Sequence, residues 1–255
     1  MSTDLFSLAG KNVLITGAGG VIGVELTRGM TAAGAIVGAQ DLTIERAQAA
    51  DGAFAFGGDL SDVEACRALV AEADAAMGGI DVLVNCAGIN RRKPIDDVTA
   101  EDFDAIVSVN MRAVFFTSQA VHPIMTARGG GTIVNISSMS ARFGYNTISV
   151  YAATKAAVTS MTRSFAREWV KDGIRVNCIE PSVVKTEFTK PLWGEPHRER
   201  WFADNMPMGR LMDPPELVGA VIFLASGASS YITGQSITID GGLLAGADWD
   251  GYADS

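Results

Sequence analysis

The chain has 255 residues, 48% of them apolar and 19% charged, with 20 Lys and Arg against 29 Asp and Glu for a net charge of −9. That length fits one large domain or two small ones, able to bury roughly 70–75% of the surface its unfolded chain exposes, and the apolar content excludes a disordered chain. The acidic balance argues against a nucleic-acid partner; the apolar runs, such as Val221–Ala225, fall far short of the roughly 20 residues that span a bilayer, so no membrane partner is expected.

Short β-branched runs alternate with longer amphipathic stretches. Asn12–Thr16 predicts a strand, followed by a helix over about Gly20–Ala33. Strands are expected at Ala35–Gln40 and Ala53–Gly58, then a helix opened by a capping box of Ser61 and Glu64. Asp81–Asn85 predicts a fourth strand. Thr99 and Asp102 resemble a second capping box, opening a helix to about Ala127. Thr132–Ser137 is the fifth expected strand, Ile148–Lys171 a long helix and Ile174–Glu180 the sixth strand. Asp213-Pro-Pro-Glu216 reads as an N-cap with proline at the first helical position, starting a helix to about Ala225. Ser236–Asp240 is the seventh strand.

Strands alternating with helices predict an α/β fold, a doubly wound Rossmann-like domain with a parallel sheet. No linker or repeat divides the chain, so residues 1–255 read as one domain. Lys185–Met212 breaks the rhythm with Pro191, Trp193, Gly194, Pro196, Trp201 and Pro207. Such an irregular insertion predicts a substrate lid over about 185–212, and residues 243–255 read as a C-terminal tail. Cys66, Cys86 and Cys178 are widely spaced, with no C-x-x-C. They read as free thiols of a reducing compartment. With Met1-Ser-Thr-Asp-Leu-Phe6 lacking the features of a signal peptide, a cytoplasmic location is expected. His122 and His197 stand at no ligand spacing from a cysteine, so no metal site is expected.

The run from Thr16 to Gly23 (TGAGGVIG) follows the first strand and opens the first helix. Its glycines allow a tight turn, and the backbone around Gly17, Gly19, Ile22 and Gly23 can approach a pyrophosphate at the helix N-terminus. Asp41 ends the second strand, where a carboxylate accepts hydrogen bonds from the adenosine ribose of NAD. It would repel a 2′-phosphate, and neither Gln40 nor Leu42 is an arginine. NAD is therefore expected over NADP.

Tyr151 and Lys155 stand at i and i+4, on one face of a helix. A tyrosine titrates near about 10 in water, and a neighbouring ammonium favours the phenolate that alcohol oxidation needs. Ser138 closes the fifth strand, where its hydroxyl can hold a substrate oxygen.

Together with Asp59-Leu60, Asn85-Cys-Ala-Gly88, Asn110, Pro181–Thr186 and Asp240-Gly-Gly242, these motifs make the chain resemble the short-chain dehydrogenase/reductases in their compact branch. The resemblance covers about Leu8–Gly242. It implies a seven-stranded sheet in the order 3-2-1-4-5-6-7 and an Asn110–Ser138–Tyr151–Lys155 tetrad. In that scheme Tyr151 is the acid/base. Lys155 holds the nicotinamide ribose and lowers the tyrosine pKa. Ser138 polarises the substrate oxygen, and Asn110 holds a water of the proton relay. Asp59 and Leu60 would lie against adenine, Asn85 near the adenosine ribose with Ala87 also among the cofactor contacts, and Val184 and Thr186 by the carboxamide. A homotetramer built on the helices around Asn110 and Tyr151 is implied as well.

Three positions depart from the family pattern. Val21 replaces a glycine and is expected to crowd the pyrophosphate. Ser182 replaces the glycine of a Pro-Gly pair, where a positive φ would cost a side chain more. Glu180 replaces a small or apolar residue.

Within the family, Ala87–Pro94, Asn135–Ser140 and Lys185–Leu192 resemble gluconate 5-dehydrogenases and related sugar-acid and polyol dehydrogenases. Asn90, Arg91, Arg92 and Lys93 follow the fourth strand at the crevice rim, and Arg92 is expected to hold a substrate carboxylate. The sequence leaves two alternatives: a reductase of another carbonyl, such as a 3-oxoacyl group or cyclic ketone, and a non-enzymatic NAD-sensing protein.

Overall fold

A computed structural model describes residues 5–246. Seven parallel strands form one sheet: β1 (Asn12–Thr16), β2 (Ile36–Asp41), β3 (Phe54–Gly57), β4 (Val82–Asn85), β5 (Gly131–Ile136), β6 (Ile174–Pro181) and β7 (Ser236–Ile239). Their order is β3-β2-β1-β4-β5-β6-β7. Parallel neighbours need crossovers, and helices supply them: α1 (Val21–Ala32), α2 (Ile44–Gln48), α3 (Val63–Met77), α4 (Ala100–Val107), α5 (Ala113–Ala127), α6 (Ser149–Trp169), α7 (Lys190–Trp193), α8 (Pro196–Asn205) and α9 (Val218–Ala225).

The period-two alternation along each strand divides the core between the two faces. Val13, Ile15, Val82, Val84, Val134 and Ile179 pack with Leu26 and Met30 of α1 and Val221 and Leu224 of α9. Leu14, Leu83, Ile133 and Val176 face the other way, against Leu69 and Val70 of α3, Val121 and Met125 of α5 and Phe165 of α6. Both faces are covered, which is why the strands read as near-continuous apolar runs. Truncating a fully buried residue such as Leu83 to alanine would cost about 2–5 kcal/mol.

Two helices differ from the expected pattern, one at its start and one along its length. Helix α3 is capped by Asp62, whose carboxylate accepts from the Glu64 N–H at 2.9 Å, and not by Ser61. The Ser61 N–H is already taken by Asp59 Oδ1 at 2.9 Å, which holds Ser61 in the preceding turn. The Thr99–Asp102 capping box is present as expected. The helix it opens is interrupted, however, by a π-helical turn at Ser108–Arg112 before continuing as α5. That turn contains Asn110.

The strand order reverses between β1 and β4, so the crevice lies beyond their C-terminal ends. Thr16, Asn85, Ile136 and Pro181 end the four central strands there. The segment from 185 to 212 is closed at its base by a bridge between Val184 and Met212, with the Lys185 N–H donating to the Met212 carbonyl at 2.8 Å. Inside it Phe202, Met206 and Leu211 pack with Val183, Leu192 and Trp193. Of the expected tail, residues 247–255 lie outside the described residues.

Candidate active site

The glycine turn is built for close approach. Gly17 has φ +66°, and a Cβ there would lie 2.6 Å from the Ala87 Cα; at Gly19 it would meet the Arg46 carbonyl and at Gly23 the Gly17 carbonyl. No side chain caps α1 and no acid stands in its first turn. Its first amides are therefore left to an anion. Val21 is 45% exposed there, so it takes no part in the protein's own packing.

Asp41 is buried at the end of β2, and both oxygens of its carboxylate accept hydrogen bonds, with an acceptor site left on Oδ2. Oδ2 accepts from the Gly19 N–H at 2.9 Å, while Oδ1 accepts from the Leu42 N–H at 2.8 Å and from Arg46 Nε at 2.6 Å. Sequence reading missed Arg46. It sought an arginine next to Asp41 in the chain, whereas the first turn of α2 returns one from five residues on.

Asn85 is buried, and its side chain is spent within the protein. Nδ2 donates to Ser118 Oγ (3.1 Å) and Asn135 Oδ1 (2.8 Å), and Oδ1 accepts from the Thr117 hydroxyl (2.8 Å). The Asn85 amide is thus satisfied within the protein. The Cys86 and Ala87 N–H groups donate to Thr16 Oγ1 at 3.1 and 3.2 Å, tying the β4 end to the glycine turn. Asp59 is exposed beside buried Leu60 at the rim. Val184 and Thr186 begin the 185–212 segment, where the Thr186 and Thr189 hydroxyls lie 3.1 Å apart.

The four tetrad positions lie together. Asn110 is wholly buried; its Oδ1 accepts from the Ile89 N–H at 2.8 Å and its Nδ2 donates to the Ile89 carbonyl at 2.9 Å. A methyl group built on Gly88 would lie 3.5 Å from both Asn110 Oδ1 and Lys155 Nζ. Lys155 donates to the Ile136 carbonyl at 2.7 Å and sits 5.6 Å from the Tyr151 ring centroid. Burial pulls its ammonium down to about 8. Burial also raises the Tyr151 phenol above its usual range, while the Ser138 hydroxyl and the Arg92 charge work the other way. The sequence reading expected Lys155 to lower this pKa. Lys155 stands at the ring face and donates to a carbonyl, and Arg92 is a second cation close to the phenol.

The structure divides the cationic cluster after β4. Lys93 Nζ reaches Asp102 Oδ2 at 2.5 Å and Arg91 Nη1 reaches Asp102 Oδ1 at 3.3 Å, so both are tied to the start of α4. Lys93 also donates its N–H to the carbonyl of Thr147, a β-branched residue at φ +67° shortly before α6. Arg92 points elsewhere. It lies beside Tyr151 and 5.8 Å from the Phe188 ring centroid, and its buried Nη1 has no hydrogen-bond partner. The Asn90 amide and the Ser140 and Ser182 hydroxyls are likewise buried without partners, in the loops after β4, β5 and β6. Buried polar atoms are rarely left so, and they mark a place for a polar ligand. Asn90 belongs to the polar cluster legible in the sequence, and Ser140 and Phe188 lie inside the motif segments 135–140 and 185–192 without standing out individually.

Ser182 has no positive φ; it continues the β6 line, donating to the Ile239 carbonyl at 2.8 Å, and the expected strain is absent. The three cysteines are free, with burial raising Cys66 to about 11 and Cys86 to about 12. Among the described residues no cluster of His, Cys, Asp or Glu is placed to hold a metal, and no helix is long and apolar enough to cross a membrane.

A glycine cradle at the sheet's switch point, with half-buried Tyr151 and buried Lys155 beside it, defines a nicotinamide-dependent oxidoreductase acting between hydroxyl and keto groups. Comparison with known proteins agrees: the family model described as enoyl-(acyl carrier protein) reductase matches residues 17–244, and the chain belongs to the short-chain dehydrogenase/reductase family. It is 41% identical over 249 residues to the 5-keto-D-gluconate 5-reductase of Escherichia coli strain K12, covering 94% of this chain and 98% of that one. It is 38% identical over 248 residues to the gluconate 5-dehydrogenase of Gluconobacter oxydans, covering 94% and 97%. A crystal structure of a gluconate 5-dehydrogenase from Burkholderia cenocepacia, in complex with NADP and tartrate, superposes with a TM-score of 0.90 at 39% identity, covering 96% of this chain and 99% of that one.

Proposed function

We propose that this protein interconverts a secondary alcohol and a ketone on a sugar acid of the gluconate type, with NAD preferred over NADP. The observation that carries the substrate class is Arg92. A buried guanidinium nitrogen without a partner, beside the reactive phenol, suits one end of a hydroxylated carboxylate. The relatives named for gluconate and 5-keto-gluconate support the same class.

A bound nicotinamide dinucleotide supplies the hydride acceptor in oxidation and the hydride donor in reduction. The backbone of Gly17, Gly19, Ile22 and Gly23 would hold its pyrophosphate, Asp41 its adenosine ribose, and Lys155 its nicotinamide ribose. Leu60 and Asp59 would border the adenine, with Ala87, Val184 and Thr186 along the remainder. The chain's residues do the rest. Tyr151 takes the hydroxyl proton during oxidation and returns one during reduction. Ser138, whose Oγ accepts from the Ser140 N–H at 3.1 Å, presents its own proton to the substrate oxygen. Asn110 clamps Ile89, and so fixes the loop that carries Arg92 three residues on. The 185–212 segment acts as a lid, bringing Phe188 against Arg92.

The NAD preference rests on Asp41, although Arg46 offsets part of its charge. We also place the protein in the cytoplasm as a homotetramer, with exposed Phe103 of α4 and Phe115 of α5 at subunit contacts; analytical ultracentrifugation tests the assembly. The deciding experiment is an activity screen of aldonates, polyols and cyclic ketones with each cofactor. D-gluconate oxidation and 5-keto-D-gluconate reduction should lead. A preference for neutral polyols or cyclic ketones overturns the substrate assignment.

A further inference from the structure

Glu180 is the least expected residue near the site. Its side chain is 0% exposed, one residue before Pro181 at the C-terminal end of β6. Taking a carboxylate out of water costs several kcal/mol, and an apolar residue of similar volume is often no worse for stability. Its partners suggest what it does. Arg142 Nε donates to Oε2 at 2.6 Å, the Thr159 hydroxyl to Oε1 at 2.9 Å, and the Thr238 hydroxyl to Oε2 at 3.3 Å.

Each partner stands on a different element. Arg142 lies four residues beyond Ser138, just past the short 3-10 turn Met139–Ala141. Thr159 follows Tyr151 and Lys155 at the same four-residue step along α6. Thr238 is on β7. Ser137, the residue before Ser138, closes the circuit: its Oγ lies 2.8 Å from both the Lys155 carbonyl and Thr159 Oγ1. Ser138 is thus held from both sides, by Ser137 against α6 and by Arg142 against Glu180.

We propose that Glu180 is a positioning residue that fixes the loop carrying Ser138 in register with the Tyr151–Lys155 face of α6, through Arg142 and Thr159. This rests on the roles proposed above for Ser138 and Tyr151. Neither Glu180 nor Arg142 meets the substrate; the pair sets where the Ser138 hydroxyl stands relative to the phenol. A loop displaced by an ångström changes the chemical step and leaves cofactor binding alone.

The test compares Arg142→Ala, Arg142→Lys, Glu180→Gln and the double variant Glu180→Ala/Arg142→Ala with wild type and Tyr151→Phe, using D-gluconate and NAD, or the leading substrate of the screen above. Arg142→Ala should lower kcat by about ten- to a hundredfold. Its KM and its NADH affinity, read by fluorescence, should stay within about twofold. Arg142→Lys should recover part of the loss. Glu180→Gln keeps the shape and removes the charge, and should fall in the same direction even if an alanine variant fails to fold.

Two further readouts separate positioning from bulk stability. The double variant carries no unpaired buried charge, so a merely structural pair predicts wild-type kcat from it; positioning predicts that it stays slow. The rising limb of the pH–rate profile for oxidation, which reports the phenolate, should also move to higher pH. Ser138 and Arg92 hold the Tyr151 pKa down against burial and Cys86, and a displaced Ser138 removes one of them. An ultraviolet titration of phenolate, wild type against Tyr151→Phe, reads the same shift without substrate. An Arg142→Ala enzyme with unchanged kcat and only a lower Tm overturns the proposal, as does a double variant of wild-type rate. If Tyr151→Phe is itself active, the tetrad assignment fails; if it is dead while Arg142→Ala is fully active, only the positioning role fails.

Discussion

Arg46 Nε stands 2.6 Å from Asp41 Oδ1, while the other oxygen of the same carboxylate holds the Gly19 N–H in the glycine turn. One acid thus shapes the cofactor turn and restrains a cation beside it. The two residues should pull cofactor choice in opposite directions. Asp41→Ala removes the ribose acceptor and frees Arg46, and should narrow the NAD preference or reverse it. Arg46→Ala leaves the carboxylate uncompensated and should widen the preference, by about threefold or more for one exposed charge. The ratio of kcat/KM for NAD and NADP decides this; a wild-type enzyme favouring NADP contradicts the assignment.

Tyr151→Phe should abolish turnover while NADH still binds. The ring packing and the Lys155 contact at its face survive, and only the transferred proton is lost. Removing a general acid/base costs about 10²–10⁴ in kcat. Retained activity within a few-fold would end the tetrad assignment.

Lys155 supplies a stability prediction. Burial brings its pKa from an unfolded 10.5 to about 8, so the unfolded chain binds more protons between those values. The cost of burying the charge is full below about pH 8 and is relieved as pH rises toward 10.5. Lys155→Met, which cannot be charged, should therefore gain most over wild type below pH 8, and the gap should close in the alkaline range. Chemical unfolding of both proteins at pH 7 and pH 10 measures it; a gap that widens with pH defeats the reading.

Val21 stands at the mouth of the turn, exposed and outside the protein's own packing. Val21→Gly should tighten cofactor binding if the side chain crowds the pyrophosphate, and lower helix stability by about 1 kcal/mol at most. Titration of NADH fluorescence against Tm separates the two effects. Unchanged or weaker binding would mean that the turn accommodates valine freely.

The sheet was legible because its central parallel strands are buried on both faces, and their β-branched runs stand out between amphipathic helices. The motif residues were legible because chemistry demands them at fixed spacing. What escaped was whatever depends on side-chain direction. The sequence shows Asn90 to Lys93 as one polar cluster, yet Asp102 takes Arg91 and Lys93 and leaves Arg92 for the phenol. Asn85 carries a family motif, but its amide is spent on Ser118, Asn135 and Thr117. Arg46 is five residues from Asp41 in the chain, and only the fold of α2 returns it. Capping was ambiguous for a similar reason, since Asp59, Ser61 and Asp62 all have cap-forming side chains and the turn geometry chooses among them.

Arg92 gives the sharpest test of the substrate. Its unpartnered Nη1 and its place beside Tyr151 assign it two effects that can be read apart. As a carboxylate anchor it contributes equally to ground and transition states, so Arg92→Ala should raise KM for an aldonate. The loss should be about 1.5–3 kcal/mol for a charge-assisted pair away from water. A neutral polyol offers no carboxylate, and its KM should move far less. As a charge near the phenol, Arg92 helps hold the Tyr151 pKa down, so the variant's rising limb in the oxidation pH–rate profile should shift to higher pH with both substrates. Arg92→Lys should restore the pH profile better than the KM, because an ammonium supplies charge without the planar fork. Equal KM losses on charged and neutral substrates would make Arg92 a structural residue and would send the substrate assignment back to the neutral polyols.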